Sequence, residues 1–190
     1  ASRLSSFMAR AGVVETMNGR TGSLRMILSV SPPGGDFTEP VTQSCLRTTG
    51  AFFMLDTSLA HRRHYPAINW FQSYSLYAKD LAAHYGRTIA PEWEDLRKRC
   101  GQILQQEESI REVAEIVGIE GLQDTDRLIM RTAERIRNEF LGQNSYSDDA
   151  FSPPEKTLAL IRAIVAQHDA VAEKLRQGIK LDEALKTEGK

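Results

Sequence analysis

The sequence predicts a mostly helical α+β fold, in which the remnant of a parallel α/β domain with few strands precedes a C-terminal helical bundle. Before residue 70, two short apolar runs, residues 24–30 and 49–56, are separated by turns rich in glycine and proline. After residue 70, apolar side chains recur at helical spacing instead. At 190 residues the chain is long enough for both an α/β part and a helical domain. We therefore assign residues 1–70 to the α/β remnant and residues 71–190 to the helical domain.

The two apolar runs are predicted to be buried strands. Their nearly continuous apolar character is typical of strands covered on both faces, as in a parallel sheet. A sheet of only a few strands has unpaired edges, and we expect the chain to self-associate through a free edge. The opening residues 2–12 predict a helix that ends at Gly12, and this abrupt beginning indicates a chain truncated upstream.

Six helices are predicted after Trp70. The fifth has the clearest signals, because Ser152-Pro-Pro-Glu155 matches a capping box at its start and Gly178 provides a stop. The predicted ranges are residues 71–85, 91–107, 109–117, from Asp124 or Thr125 to Phe140, 152–178 and 181–186.

Composition excludes several function classes. With 24 basic and 25 acidic residues the net charge is -1, so no overall field attracts nucleic acid or an anionic membrane. No run approaches the ~20 apolar residues of a membrane-spanning helix. Cys45 and Cys100 are far apart in sequence and indicate a reduced intracellular protein. His61 and His64 have helical spacing, but no cysteine or carboxylate cluster completes a metal site, and we predict no metal.

Three segments carry chemistry-bearing residues. The first, Ser31-Pro-Pro-Gly-Gly-Asp-Phe-Thr-Glu-Pro40, must leave the sheet as an irregular loop, in which Asp36 or Thr38 is a functional contact or a helix cap. The second, His64-Tyr-Pro-Ala-Ile-Asn-Trp70, is an aromatic binding segment or part of a core. The third, residues 138–149, is a polar binding turn or a helix end with Gly142 as its stop.

These segments resemble the catalytic A subunit of V-type and A-type rotary ATPases. The resemblance covers nearly the whole chain and is strongest in residues 22–73 and 138–146. It makes the α/β remnant part of a nucleotide-binding domain. It also implies an adenine pocket lined by Tyr65, Pro66, Gln143, Asn144 and Tyr146. Gly142 departs from the family, which commonly has glutamine there.

The same resemblance implies two surfaces that face the central rotor. One is the loop that carries Asp36 and Thr38. The other is the turn between two helices, where Glu120, Asp124 and Asp126 form a mildly acidic tip. For Asp124 or Thr125, an ordinary role as the N-cap of the following helix is the alternative.

The chain lacks the motifs of phosphoryl transfer. No Gly-x-x-x-x-Gly-Lys-Ser/Thr loop and no apolar strand ending in a Mg²⁺-binding acid are present, so we predict no catalytic residue and an inactive isolated chain. The resemblance implies a parent complex that couples ATP hydrolysis or synthesis, with Mg²⁺, to proton or sodium transport. Its partners would be the rest of the catalytic A subunit, the B subunits of the ring and the rotor stalk, on the cytoplasmic face of a prokaryotic membrane. The alternative is a stand-alone, non-catalytic helical interaction protein of the same family.

Overall fold

The computed structural model describes residues 2–186. These residues form two compact units. The first contains the described residues up to Met54 together with Trp70–Tyr77, and the second contains Leu55–Asn69 together with the described residues from Ala78 onward. The second unit therefore takes a short segment from the middle of the predicted α/β part. The predicted boundary at residue 70 stays a prediction.

The first unit combines two helices with two short antiparallel strand pairs. Strand β1 pairs with β2 in the register Gly12↔Leu24, and β3 pairs with β4 in the register Ala51↔Ser75. Helix α2 is capped by the Glu39 carboxylate, which accepts from two backbone amides of its first turn. The elements are α1 Ser2–Met8, β1 Gly12–Glu15, β2 Thr21–Leu24, a 3-10 turn Pro33–Gly35, α2 Pro40–Thr48, β3 Ala51–Phe52 and β4 Tyr74–Ser75.

The prediction of buried parallel strands is wrong in detail. Leu24 ends β2, residues 25–30 form neither helix nor strand, and Ile27 is 97% exposed. An apolar run becomes a strand only when a neighbouring backbone satisfies its amide and carbonyl groups. Within residues 2–186, no strand lies beside residues 25–30. The coarser prediction, a mostly helical chain with a small strand-containing part, is confirmed.

The second unit is helical. Helix α5 joins two predicted helices into one, because no glycine or proline interrupts the chain near Ser109. The predicted helix at residues 71–85 begins only at Ala78, since Tyr74 and Ser75 belong to β4. The elements are α3 Thr57–His61, α4 Ala78–Thr88, α5 Trp93–Val117, a 3-10 turn Ile119–Gly121, α6 Asp124–Arg135, a π-helix Ile136–Leu141, a 3-10 turn Asp148–Phe151, α7 Pro154–Arg176 and α8 Leu181–Lys186.

The core of this unit lies between α5, α6 and α7. Ile103, Ile136, Ile164 and Val171 are its largest fully buried side chains. Helix α8 adds a second apolar layer against α6 and α7, and its bounds match the prediction. Helix α7 begins without the predicted capping box, because the Ser152 hydroxyl donates to Asp149 instead of capping the helix. Within residues 2–186, no helix has both the length and the apolar character to cross a membrane.

Candidate nucleotide-binding site

Two of the predicted adenine-facing segments meet in the second unit. The Gln143 amide nitrogen donates a hydrogen bond of 2.7 Å to the Tyr65 carbonyl oxygen. Tyr65 follows α3, whereas Gln143 follows the π-helix, so the contact joins distant parts of the chain. The Tyr65 side chain is 55% exposed, which excludes the alternative that it is a core aromatic, and its bond to Pro66 is cis. The bond thus brings the backbones of the two segments into direct contact.

The turn after Gln143 is fixed by its own polar groups. The Gln143 Nε2 donates to the Asp149 carbonyl oxygen at 2.7 Å, which identifies Oε1 as the acceptor end of this side chain. The Asn144 Oδ1 accepts from the Tyr146 amide at 3.0 Å. The Tyr146 ring is almost fully exposed. All five predicted adenine-pocket residues therefore lie in two backbone segments that a hydrogen bond joins.

Asp149 anchors this turn, although no motif in the sequence pointed to it. Its Oδ2 accepts from the Asn144 amide at 2.9 Å, while its Oδ1 accepts from the Ser152 hydroxyl at 2.9 Å and from Lys156 Nζ at 3.1 Å. These bonds, led by the one from the Asn144 amide, lower the pKa of Asp149 to about 2. The available signal was an acidic residue in a polar loop shortly before two prolines.

Gly142 ends the π-helix because its backbone passes close to the preceding turn. Its amide donates to the Arg137 carbonyl oxygen at 2.8 Å. A β-carbon at this position would lie 2.9 Å from the Asn138 carbonyl oxygen, closer than real contacts allow. Its φ is -69°, so the requirement is space and not a left-handed backbone. A side chain at this position would therefore require the turn to shift.

A buried ion-pair cluster lies behind the turn, and it was also missed. Glu107 is 3% exposed; its Oε2 accepts from Arg137 Nη1 at 2.7 Å and its Oε1 from Arg111 Nε at 3.0 Å. Burial, followed by the positive charge of Arg137 and then that of Arg62, lowers the pKa of His64. The sequence signal was the position of Glu107, one helical turn after the buried Ile103.

The predicted rotor-facing loop belongs to the first unit. The Asp36 Oδ1 accepts from the Thr38 amide at 2.8 Å and from its hydroxyl at 2.6 Å, and these bonds lower the pKa of Asp36. The two residues thus close their own turn and leave the capping of α2 to Glu39. The alternative in which either of them caps that helix is wrong. Their contact with a rotor stays a prediction.

The predicted tip of the second unit exposes apolar as well as acidic groups. Glu120 is exposed in the 3-10 turn after α5, and Asp126 lies in the first turn of α6. Beside Glu120, Ile116 is 85% and Ile119 58% exposed. A rotor contact here also stays a prediction, but the surface is more apolar than its acidic residues alone indicated.

Asp124 does not cap α6. That helix has Gln123 at its N-cap with no side-chain hydrogen bond. The Asp124 Oδ2 instead accepts from the Leu181 amide at 3.0 Å, at the start of α8, and its Oδ1 pairs with Arg127 at 3.1 Å. The prediction of an N-cap by Asp124 or Thr125 is therefore wrong, since the carboxylate caps a different helix. A rotor contact of Asp124 stays a prediction.

The described residues contain no group of three or more His, Cys, Asp or Glu side chains able to hold a metal ion. Both cysteines are buried and have free thiols. Burial raises the pKa of Cys100 to about 11, which keeps this thiol protonated near neutral pH.

Residues 82–185 match the family model for the C-terminal domain of V and A type ATP synthase. The chain belongs to this family. Residues 1–75 also match the nucleotide-binding domain of the ATP synthase alpha/beta family. The predicted resemblance to V/A-type ATPases is thus confirmed.

Curated relatives of this ATP synthase family extend the match over nearly the whole chain. The A-type ATP synthase A subunit of Methanosarcina barkeri (strain Fusaro) is 43% identical over 190 residues, which are 100% of this chain and 33% of that protein. The corresponding A subunit of Staphylothermus marinus is 43% identical over 184 residues, 95% of this chain and 31% of that protein. That of Methanopyrus kandleri is also 43% identical, over 98% of this chain and 32% of that protein. The chain therefore spans about a third of the length of these relatives.

A solved structure shows the same fold. The ATP synthase subunit NeqB from Nanoarcheaum equitans matches with a TM-score of 0.73 and 24% sequence identity, over 88% of this chain and 40% of that one. At this identity the match supports the fold alone.

Proposed function

We propose that this chain is the C-terminal third of the catalytic A subunit of a V/A-type rotary ATPase, and that it supplies the adenine side of the nucleotide site. The single observation that carries the proposal is the 2.7 Å bond between the Gln143 amide and the Tyr65 carbonyl oxygen. This bond brings together the two segments that the family resemblance assigned to the adenine pocket. The similarity to A-type A subunits over nearly the whole chain favours this role over that of a stand-alone interaction protein.

In this proposal, residues 1–70 complete a nucleotide-binding domain and residues 71–190 form the helical domain that follows it. The rest of the domain would cover apolar groups that the first unit exposes. Val13 is 73%, Val14 60% and Ile27 97% exposed. Large exposed apolar surface of this kind marks an interface.

The chain's own residues would bind and orient the base. The Tyr65 and Tyr146 rings offer flat faces for adenine to pack against. The Gln143 Oε1 would accept a hydrogen bond from an exocyclic amine, because its Nε2 is already committed to the Asp149 carbonyl oxygen. Pro66 would provide an apolar edge and Asn144 a second amide group. Phosphates and Mg²⁺ would be held by the rest of the catalytic polypeptide, since the phosphate-binding loop is absent from these 190 residues.

The parent reaction in this proposal is ATP hydrolysis or synthesis coupled through rotation to proton or sodium transport. The ring partners would be B subunits, and the complex would lie on the cytoplasmic face of the membrane. The loop at Asp36 and Thr38 and the tip at Glu120, Asp124 and Asp126 would face the central rotor. The exposed Ile116 and Ile119 support a contact at the tip.

The test is titration of the 190-residue chain with adenosine, ADP and ATP, with and without Mg²⁺, followed by NMR. We expect weak binding that is independent of phosphate number and of Mg²⁺, shift changes at Tyr65 and Gln143, and no hydrolysis. Tyr65→Ala should weaken binding by about 5- to 150-fold, the equivalent of ~1–3 kcal/mol for one stacked base. Tyr77→Ala is the control, because Tyr77 is similarly exposed (56%) but belongs to the first unit. Tight Mg²⁺-dependent binding of ATP, or any turnover, would refute the proposal.

A further inference from the structure

We propose that Glu107 and Arg137 are positioning residues, whose buried ion pair holds the adenine-facing turn in place. The inference rests on the proposed nucleotide site and goes beyond it, because neither residue belongs to the predicted pocket. Glu107 is on α5 and Arg137 is in the π-helix that leads into the turn.

The first step concerns the hydrogen bonds of the buried Glu107 carboxylate. Glu107 is 3% exposed, and both of its carboxylate oxygens accept hydrogen bonds from guanidinium groups. A buried carboxylate is tolerated only when it is paired, so the geometry of its partners is strongly restricted. Arg111 is on the same helix as Glu107, whereas Arg137 is supplied by another element. The Glu107–Arg137 bond of 2.7 Å therefore fixes the π-helix against α5.

The second step connects this pair to the turn through the backbone. The Arg137 carbonyl oxygen accepts from the Gly142 amide at 2.8 Å, which closes the last turn of the π-helix. The next residue, Gln143, donates to Tyr65. A displacement of Arg137 is thus transmitted over two consecutive hydrogen bonds to both segments of the site. Insertions of π-helix are often found at functional sites, where they re-aim the residues that follow.

The third step concerns the other segment. The positive charge of Arg137 adds to burial in lowering the pKa of His64, so the guanidinium is near the residue that precedes Tyr65. One side chain therefore influences the turn through its backbone and the aromatic segment through its charge.

The experiment compares Glu107→Gln with Glu108→Gln, a matched control at the exposed next position of the same helix. Amide hydrogen exchange is followed residue by residue in the 190-residue chain. We expect exchange at Gly142 and Gln143 to become about tenfold faster in Glu107→Gln, while exchange at the buried Ile164 is unchanged. The control should change neither.

Arg137→Met is a second variant, which keeps an unbranched apolar side chain, removes the guanidinium and leaves Glu107 paired with Arg111. It should speed exchange at Gln143 and raise the pKa of His64 toward its ordinary value, and Arg137→Lys should restore the lowered pKa. If exchange at Gln143 in either variant is unchanged, or rises only in step with Ile164, the pair has no positioning role and the proposal is wrong.

Titration with adenosine separates this inference from the proposed function. If adenosine shifts neither Tyr65 nor Gln143 in the unmodified chain, the nucleotide site is refuted, whatever the exchange data show. If adenosine binds the unmodified chain and Arg137→Met with equal affinity, the site stands and the positioning role is refuted. We expect a loss of adenosine affinity of about 3- to 10-fold in Arg137→Met, typical of a displaced contact.

Discussion

Truncation of Ile103 to alanine should destabilise the helical unit far more than the same truncation at Ile116. Both isoleucines are on α5, but Ile103 is 1% exposed and Ile116 is 85% exposed. The change removes about three carbon groups, worth ~0.8 kcal/mol each when buried, or about 2.4 kcal/mol in all. The unfilled cavity raises the expected loss at Ile103 to about 3–4 kcal/mol. Alanine's better helix propensity offsets roughly 0.4 kcal/mol at either site, so Ile116→Ala should change the free energy of unfolding by less than about 0.5 kcal/mol.

Urea unfolding followed by far-ultraviolet circular dichroism measures this difference, because most of the helical signal comes from the second unit. The midpoint should fall clearly for Ile103→Ala and hardly at all for Ile116→Ala, with the same slope in both variants. Equal losses for the two would show that the exposed end of α5 is buried in solution. That result would contradict both the assigned core and the exposed tip on which the proposed rotor contact depends.

Three further predictions concern single groups. Gly142→Ala should cost roughly 1–3 kcal/mol and speed amide exchange in the turn that follows, because its β-carbon would lie 2.9 Å from a carbonyl oxygen. Gly101 lies on α5 with open space around its β-carbon position, so Gly101→Ala should instead stabilise the protein by about 0.5–1 kcal/mol. Equal changes in stability for the two variants would contradict the close approach of Gly142 to the carbonyl oxygen. Burial lowers the pKa of His168, so the unfolded chain binds a proton more readily, and stability should fall as pH drops below about 6.5. His168→Gln should reduce this slope in urea midpoints, and an unchanged slope would contradict the assignment. Asp124→Asn should cost about 1 kcal/mol through the weakened α8 cap, whereas a loss as large in Asp126→Asn would point to general charge effects.

The helices were predictable where periodicity and stop signals agree. Helix α8 has its predicted bounds, and α7 ends before Gly178, whose φ of 85° suits a helix stop. The division of α5 at Ser109 was not correct, because serine is favourable as an N-cap but does not break a helix on its own. Local signals therefore located the helical segments, and tertiary packing decided how far each one extends.

The strands were not predictable to the same degree, because a strand is defined by its partner. Residues 24–30 have the composition of a buried strand, yet only Leu24 is paired. Residues 12–15, which no prediction had identified, form β1 because a turn at Gly19 brings β2 beside them. The composition of a segment shows that it could form a strand, but it does not show whether a neighbouring strand is present to pair with it.

The candidate site shows a similar limit. The residues Tyr65 and Gln143 were identified from the sequence, but their contact depends on how the π-helix ends at Gly142. No periodicity of 3.6 residues predicts a π-helix. The burial of Glu107 was not predictable, because a charged residue beside an apolar stripe is ordinarily exposed at the edge of its helix. Its burial follows only from the two arginines that approach it.

The energetics of the proposed base-facing contacts predict only weak nucleotide binding by this surface alone. One stacked base contributes ~1–3 kcal/mol and one hydrogen bond about 0.5–1.5 kcal/mol, which together reach roughly the 4.1 kcal/mol of a 1 mM dissociation constant at best. Tighter binding requires the charge-assisted contacts of phosphates and Mg²⁺, for which these 190 residues contain no phosphate-binding loop. Base recognition by Tyr65 and Gln143 would therefore give tight nucleotide binding only when contacts to the phosphates add their own binding energy. In that arrangement a small displacement of the turn changes the affinity of the whole site without touching the reacting groups.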